Sequence, residues 1–193
     1  FHSVVIGWLG RDPMSRGLRV ENLAKLARPY RVLIREFLGK LLEKHGKSLV
    51  SVALFGSVAR GDYKETSDID LLIIMKGVKR YSRLKRYYII LDAIEHVEDL
   101  RVKLAEEGFL TGISPVILDY EEAKYFRPLY IELAHDAVIL YDKEGFLARL
   151  LKKFSKILKE EYGGRRVPMG RRWYWVFTKK NPFIDLCGVK IVE

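Results

Sequence analysis

Apolar positions along the chain recur at two spacings. Between Arg28 and Gly46, Tyr30, Leu33, Ile34, Phe37, Leu38, Leu41 and Leu42 fall on one stripe of a helical repeat. That spacing predicts an amphipathic helix with Pro29 in its first turn and Gly46 at its end. "SLVSVALF" at 48–55 and "DIDLLIIM" at 68–75 are instead nearly continuous and β-branched, of strand length and bounded by turn residues. Between them "GSVARGDYKETS" holds Gly56 and Gly61 and reads as a loop with about one helical turn. Helical spacing returns from Arg80 to Glu107 through Leu84, Tyr88, Leu91, Ile94, Val97, Leu100 and Leu104, and Gly108 stops it. "ISPVILDY" at 113–120 predicts a third strand, which Pro115 confines to an edge or a strand start. The segment 121–137 predicts short helices broken before Pro128, and "VILY" at 138–141 a brief extended piece. Residues 143–163 predict an amphipathic helix that turns Phe146, Leu150, Phe154, Ile157 and Leu158 inward. The rest, 163–193, alternates basic, aromatic and turn residues, with "WYWVF" its one strand-like stretch. These elements predict an α/β protein, a small mixed β-sheet flanked by helices, with a basic C-terminal extension.

Composition narrows the class. A chain of 193 residues buries a real core and suits one α/β domain with an appendage. Its longest apolar runs fall well short of the roughly 18 to 20 residues of a membrane span, so no membrane partner is expected. The opening "FHSVVIGWLGRDPMSRG" has no basic n-region and no small-residue cleavage site, and a cytoplasmic protein is expected. Met14 is a candidate initiator, which would make residues 1–13 an extension of little functional weight. The single cysteine, Cys187, excludes an internal disulfide framework and a cysteine-rich zinc site, and His45, His96 and His135 lack metal-ligand spacing. Gln is absent, Asn stands only at 22 and 181, and Lys, Arg and Glu abound, the bias of proteins from hot-living organisms; a thermophilic source is expected. The net charge of +10 is uneven: eleven basic residues from Arg149 to Lys180 face only Glu160 and Glu161. Such a surface attracts a polyanion, a nucleotide triphosphate or RNA, and is equally the solvated face of a lysine-rich helix.

The chemistry concentrates at 56–70. On a strand, residues i and i+2 share a face, so Asp68 and Asp70 project side by side, roughly 6 to 7 Å apart at the backbone. Left unneutralised, each raises the other's pKa. A divalent cation removes that penalty, and hard oxygen ligands suit Mg2+ or Mn2+. Gly56 allows close approach of backbone to a ligand, and Ser57 offers a hydroxyl and an N–H to a phosphate. Arg60 is placed to bind phosphate oxygens or to brace the carboxylates. Taken singly, each of these features is ordinary turn chemistry, with Ser67-Asp68 capping and Asp70 paired to an arginine. Together they point to a magnesium-nucleotide site.

Gly56-Ser57-x-x-Arg60-Gly61 followed by Ser67-Asp68-x-Asp70 and an apolar strand resembles the signature of the DNA polymerase β-like nucleotidyltransferase superfamily, and within it the small stand-alone minimal nucleotidyltransferases of archaea and bacteria. The motif covers Leu54 to Ile74, the likeness of layout runs from about Pro29 to Leu158, and "GRRWYWVF" resembles a C-terminal extension of some archaeal members. The resemblance implies a nucleotidyltransferase domain over 22–142, preceded by an irregular extension over 1–21 and followed by the amphipathic helix and basic-aromatic tail over 143–193. It implies transfer of a nucleoside monophosphate, AMP from ATP, to an acceptor with release of pyrophosphate. Asp68 and Asp70 would hold the metals, Gly56 and Ser57 would cradle phosphates, Arg60 and Gly61 would shape the loop, and Ser67 would support the ligands. Active members carry a third carboxylate on a later strand, where this chain has Ser114; Asp119 is the nearest substitute, of opposite strand parity, with Glu121 and Glu122 beyond it. Relatives also work with a helical HEPN-domain protein, so a nucleotide-binding antitoxin-type partner with weak turnover is one alternative. An RNA-binding protein using the basic tail is another, with Trp173, Tyr174 and Trp175 either stacking on bases or covering a core.

Overall fold

Residues 17–169 and 172–193 are described in the computed structural model. The seven apolar positions of the first predicted stripe are the seven buried residues of a long helix. Preceded by the short α1 (Val20–Ala24), α2 (Arg28–His45) carries Pro29 in its first turn and buries Tyr30, Leu33, Ile34, Phe37, Leu38, Leu41 and Leu42. β1 (Leu49–Phe55) is buried along its whole length and passes directly into α3 (Gly56–Arg60). β2 (Ile69–Met75) follows, then α4 (Arg83–Ile89), α5 (Leu91–Glu95) and α6 (Glu98–Glu106). β3 (Ile113–Asp119), α7 (Tyr120–Ala123), α8 (Leu129–Asp136) and β4 (Val138–Asp142) lead into α9 (Phe146–Glu160). β5 (Arg165–Met169), β6 (Arg172–Val176) and α10 (Pro182–Asp185) complete the chain.

Four strands form one mixed sheet in the order β3-β2-β1-β4, with β3 parallel to β2 and the other neighbours antiparallel. Both faces are covered, which is why β1 and β2 read as unbroken apolar runs. Leu71, Ile73 and Met75 of β2 pack with α2 and the α4–α6 segment, and Leu72 and Ile74 pack with α8 and α9. By the same alternation Asp70 lies on the α8 face. Pro115 sits on the outermost strand, where its missing N–H costs no ladder bond. Opposite it, the edge of β4 is met by Gly17 to Arg19, through Arg19 N–H to the Leu140 carbonyl and Asp142 N–H to the Gly17 carbonyl, each 2.9 Å. Part of the expected N-terminal extension is thus paired to the sheet; residues 1–16, including the stretch 1–13, lie outside the described residues.

Two expectations are corrected. The single helix predicted over Arg80–Glu107 is three short ones, broken at Ile90 and Val97. The stripe assigned there fails in its first half, because Leu84 and Tyr88 are 64% and 60% exposed. The anchors are Arg86, Ile90, Ala93 and Val97, and the run Tyr87-Tyr88-Ile89-Ile90 has weak helix propensity with which to resist the bends. In the tail, "WYWVF" has a partner that its sequence hides: β5 and β6 form an antiparallel hairpin in which Pro168 faces Trp173. No helix among the described residues is long and apolar enough to cross a membrane.

Candidate active site

The strand-to-helix junction after β1 creates the site. Phe55 pairs with Asp70 across the β1–β2 ladder, so the first residue of α3 must pass beside the Asp70 side chain. Gly56 does so with φ +71°, and a Cβ built on it would lie 2.3 Å from Asp70 Oδ2. Only glycine fits both the left-handed backbone and the approach. Gly61, at φ +80°, closes the turn with its N–H on the Ser57 carbonyl at 2.9 Å, and Asp62 N–H reaches the same oxygen at 3.2 Å. The loop that follows is pinned by the Tyr30 hydroxyl on the Lys64 carbonyl and by Ser67 Oγ, which accepts from Lys64 N–H at 2.9 Å. Ser67 therefore shapes the turn into the carboxylates.

Asp68 is exposed at the head of β2, its Oδ1 accepting from Gly112 N–H at 3.0 Å. Asp70 is half-buried one strand step further. Its pKa is raised, first by burial, then by the charges of Asp68 and Glu132; the Ser114 hydroxyl and Arg60 pull in the other direction. This carboxylate is thus poorly compensated by the protein. Arg60, at the end of α3, donates through Nε to Asp62 and through Nη1 to Glu132 at 2.8 Å. Its guanidinium carbon is 5.9 Å from the centre of the Trp173 ring, over which Arg166 lies at 3.4 Å. Arg166 in turn forks onto Asp136, so the hairpin is fastened to α8.

The structure gathers Gly56, Ser57, Arg60, Gly61, Asp68 and Asp70 at one corner of the sheet. Asp119 is not among them. In the β2–β3 register it opposes Met75, whereas Ser114 opposes Asp70. The Asp119 carboxylate is buried and saturated, accepting from the backbone N–H groups of Val78, Lys79 and Glu121 as the cap of α7. Strand parity turns it to the other face, and no bulge in β3 reverses that. Glu122 is forked by Arg86, and Glu121 pairs with Lys124. Glu132, which the sequence did not single out, is the further acid at the site. Its one signal is spacing: Glu132 and Asp136 are one turn apart on α8, and each receives an arginine from a glycine-flanked segment, Arg60 and Arg166.

Among the described residues no three His, Cys, Asp or Glu side chains converge into a ready-made metal cage. Two neighbouring carboxylates, one of them undercompensated, fit the alternative: Mg2+ is commonly held by one or two carboxylates together with substrate phosphates. Asp68 and Asp70 have the donor chemistry for such a shared ion.

A glycine-serine turn set against paired aspartates at the corner of an α/β sheet has the donor chemistry to hold phosphate beside a divalent cation. Residues 34–126 match the family described as nucleotidyltransferase domain. A candidate protein adenylyltransferase of Methanocaldococcus jannaschii is 31% identical over 129 residues, 66% of this chain and 82% of that one. A second from the same organism is 38% identical over 73 residues, 35% of this chain and 73% of its own length. Two solved structures are more distant. A candidate nucleotidyltransferase from Sulfolobus solfataricus is 23% identical with a TM-score of 0.38, covering 70% of this chain and 94% of that one. A toxin-antitoxin structure with AMP-PNP is 17% identical with a TM-score of 0.39, covering 65% and 89%. The chain belongs to the nucleotidyltransferase family and is a nucleotidyl-transferring enzyme.

Proposed function

We propose that this enzyme moves AMP from ATP to an acceptor hydroxyl and releases pyrophosphate, with Mg2+ or Mn2+ held by Asp68 and Asp70. The observation that carries the reading is the close approach of Gly56 to Asp70: a phosphate-sized ligand on the Gly56-Ser57 turn lies beside the Asp70 carboxylate. When bound, the metal supplies Lewis-acid stabilisation of the phosphoryl oxygens. The chain's own part is positioning. Gly56 and Ser57 present backbone N–H groups and a hydroxyl to the triphosphate, Arg60 adds a forked positive charge, and Gly61 and Ser67 keep the loop in shape. ATP and a protein acceptor are favoured because the M. jannaschii relatives carry the name protein adenylyltransferase.

The alternative reading, a nucleotide-binding antitoxin-type partner of a HEPN-domain protein with little turnover, draws on one observation: Ser114 stands where β3 meets Asp70, so β3 brings no acid to the pair. Calorimetric titration with each NTP, with and without Mg2+, separates the readings when repeated on Asp68→Asn/Asp70→Asn. Metal-dependent ATP binding that is lost in the double variant, together with pyrophosphate release, supports the enzyme. Binding without release supports the partner protein, and no nucleotide binding leaves RNA or another polyanion at the C-terminal region as the ligand to test.

A further inference from the structure

Arg60 is held by carboxylates. Asp62 takes its Nε, Glu132 takes its Nη1 at 2.8 Å, and Trp173 lies alongside. The Arg60 and Glu132 side chains are 22% and 33% exposed, partly out of water yet open to the site. Glu132 stands on α8, which packs on the face of the sheet to which Asp70 points and against α3, the helix that runs from Gly56 to Arg60. The other acids near β3 are committed elsewhere: Asp119 to three backbone N–H groups, Glu122 to Arg86, Glu121 to Lys124.

We propose that Arg60 changes partners when nucleotide binds, leaving Glu132 for the triphosphate, and that the freed Glu132 carboxylate is the base that takes the proton of the acceptor hydroxyl. The inference rests on the nucleotidyl-transfer reading. A triphosphate offers a guanidinium several charged oxygens in forked geometry, and so outcompetes one carboxylate. Distance permits the move: α3 has five residues, about 1.5 Å of rise each, so Arg60 sits within a side chain's reach of phosphates on the Gly56-Ser57 turn. In the transfer step the acceptor oxygen bonds to the α-phosphorus while its proton passes to Glu132. The bond from the α-phosphorus to the bridging oxygen breaks, and pyrophosphate leaves with that electron pair; Glu132 then returns its proton to solvent. Order follows from the exchange, because the base is released only after ATP has drawn Arg60 away.

The test pairs calorimetric titration of Mg2+–ATP with pyrophosphate release to water and the chain's own hydroxyls, on the wild type, Glu132→Gln and Glu132→Asp. Glu132→Gln is expected to bind Mg2+–ATP about threefold or more tightly, since Arg60 no longer has to leave a charge. Pyrophosphate release should fall about a hundredfold, the lower range for loss of a general base, with Glu132→Asp intermediate. Tryptophan emission should change on Mg2+–ATP binding and lose that change in Trp173→Phe. A merely structural Glu132 would not split affinity from turnover in this way. Weaker binding by Glu132→Gln overturns the partner exchange, and unchanged pyrophosphate release overturns the base. Binding by the wild type with no release at all overturns the base as well. A wild type that binds no Mg2+–ATP removes the nucleotidyl-transfer reading and this one with it, an outcome distinct from the others.

Discussion

At Asp70 the proposed metal-binding role and the stability of the fold pull in opposite directions. Its folded pKa is raised above the usual 3.8, by burial first and by Asp68 and Glu132 after it. The sign follows: at neutral pH the ionised carboxylate costs the folded state, and the cost is relieved as pH falls through the raised pKa. Asp70→Asn should therefore raise the melting temperature of the nucleotide-free protein by about 2 °C, equivalent to about 1 kcal/mol at this size, while abolishing Mg2+–ATP binding; a thermal melt and a titration check both halves. Metal binding needs the ionised form, so Mg2+–ATP affinity measured from pH 7 downward should begin to fall at a pH above that of an ordinary aspartate. Gly56→Ala should cost at least tenfold in Mg2+–ATP affinity and about 1 to 3 kcal/mol of stability, because its Cβ would meet Asp70 Oδ2 at 2.3 Å and its φ is positive.

At the scale of elements, Arg86 holds β3, α7 and the start of α4 in one arrangement. It is 8% exposed and donates to the carbonyls of Tyr81, Lys79 and Ile117 and to both Glu122 oxygens. Arg86→Ala should cost about 3 kcal/mol in urea denaturation, and Arg86→Lys should recover little, since an ammonium cannot span those acceptors. This element also marks the limit of what the sequence discloses. The α2 stripe, the two central strands, the edge strand with Pro115 and the cluster from Gly56 to Asp70 were legible because each rests on local spacing. The breaks at Ile90 and Val97 were not, because the bends follow the sheet they cover. Hairpin β5–β6 escaped because Val167 and Pro168 lack an alternating pattern, and Glu132 because its meaning depends on Arg60, which lies 72 residues away in sequence.

Across the whole molecule the C-terminal segment is structural as well as charged. Leu186 and Ile191 belong to the core beneath α8 and α9, and Ile191 N–H bonds the Lys124 carbonyl at 2.7 Å. Removal of residues 187–193 should cost about 2 to 5 kcal/mol, the range for emptying one large aliphatic site, and should be visible as an earlier denaturation midpoint. The Arg166–Asp136 fork, with side chains 14% and 10% exposed, ties the hairpin to α8 and adds to the packing of Trp175 on the core. Asp136→Asn should loosen it from α8 and disturb Trp173 beside Arg60, lowering Mg2+–ATP affinity severalfold without touching either carboxylate of the pair.

The contact between Gly56 and Asp70 also has a history built into it. A side chain at position 56 meets two obstacles, the Asp70 carboxylate and a positive φ, and shrinking Asp70 removes only the first. A descendant lineage that loses the carboxylate, and transfer with it, should therefore still keep the glycine, because the turn out of β1 needs it. Glycine at position 56 would then outlast the chemistry beside it, the mark by which a decayed site of this kind is still recognised.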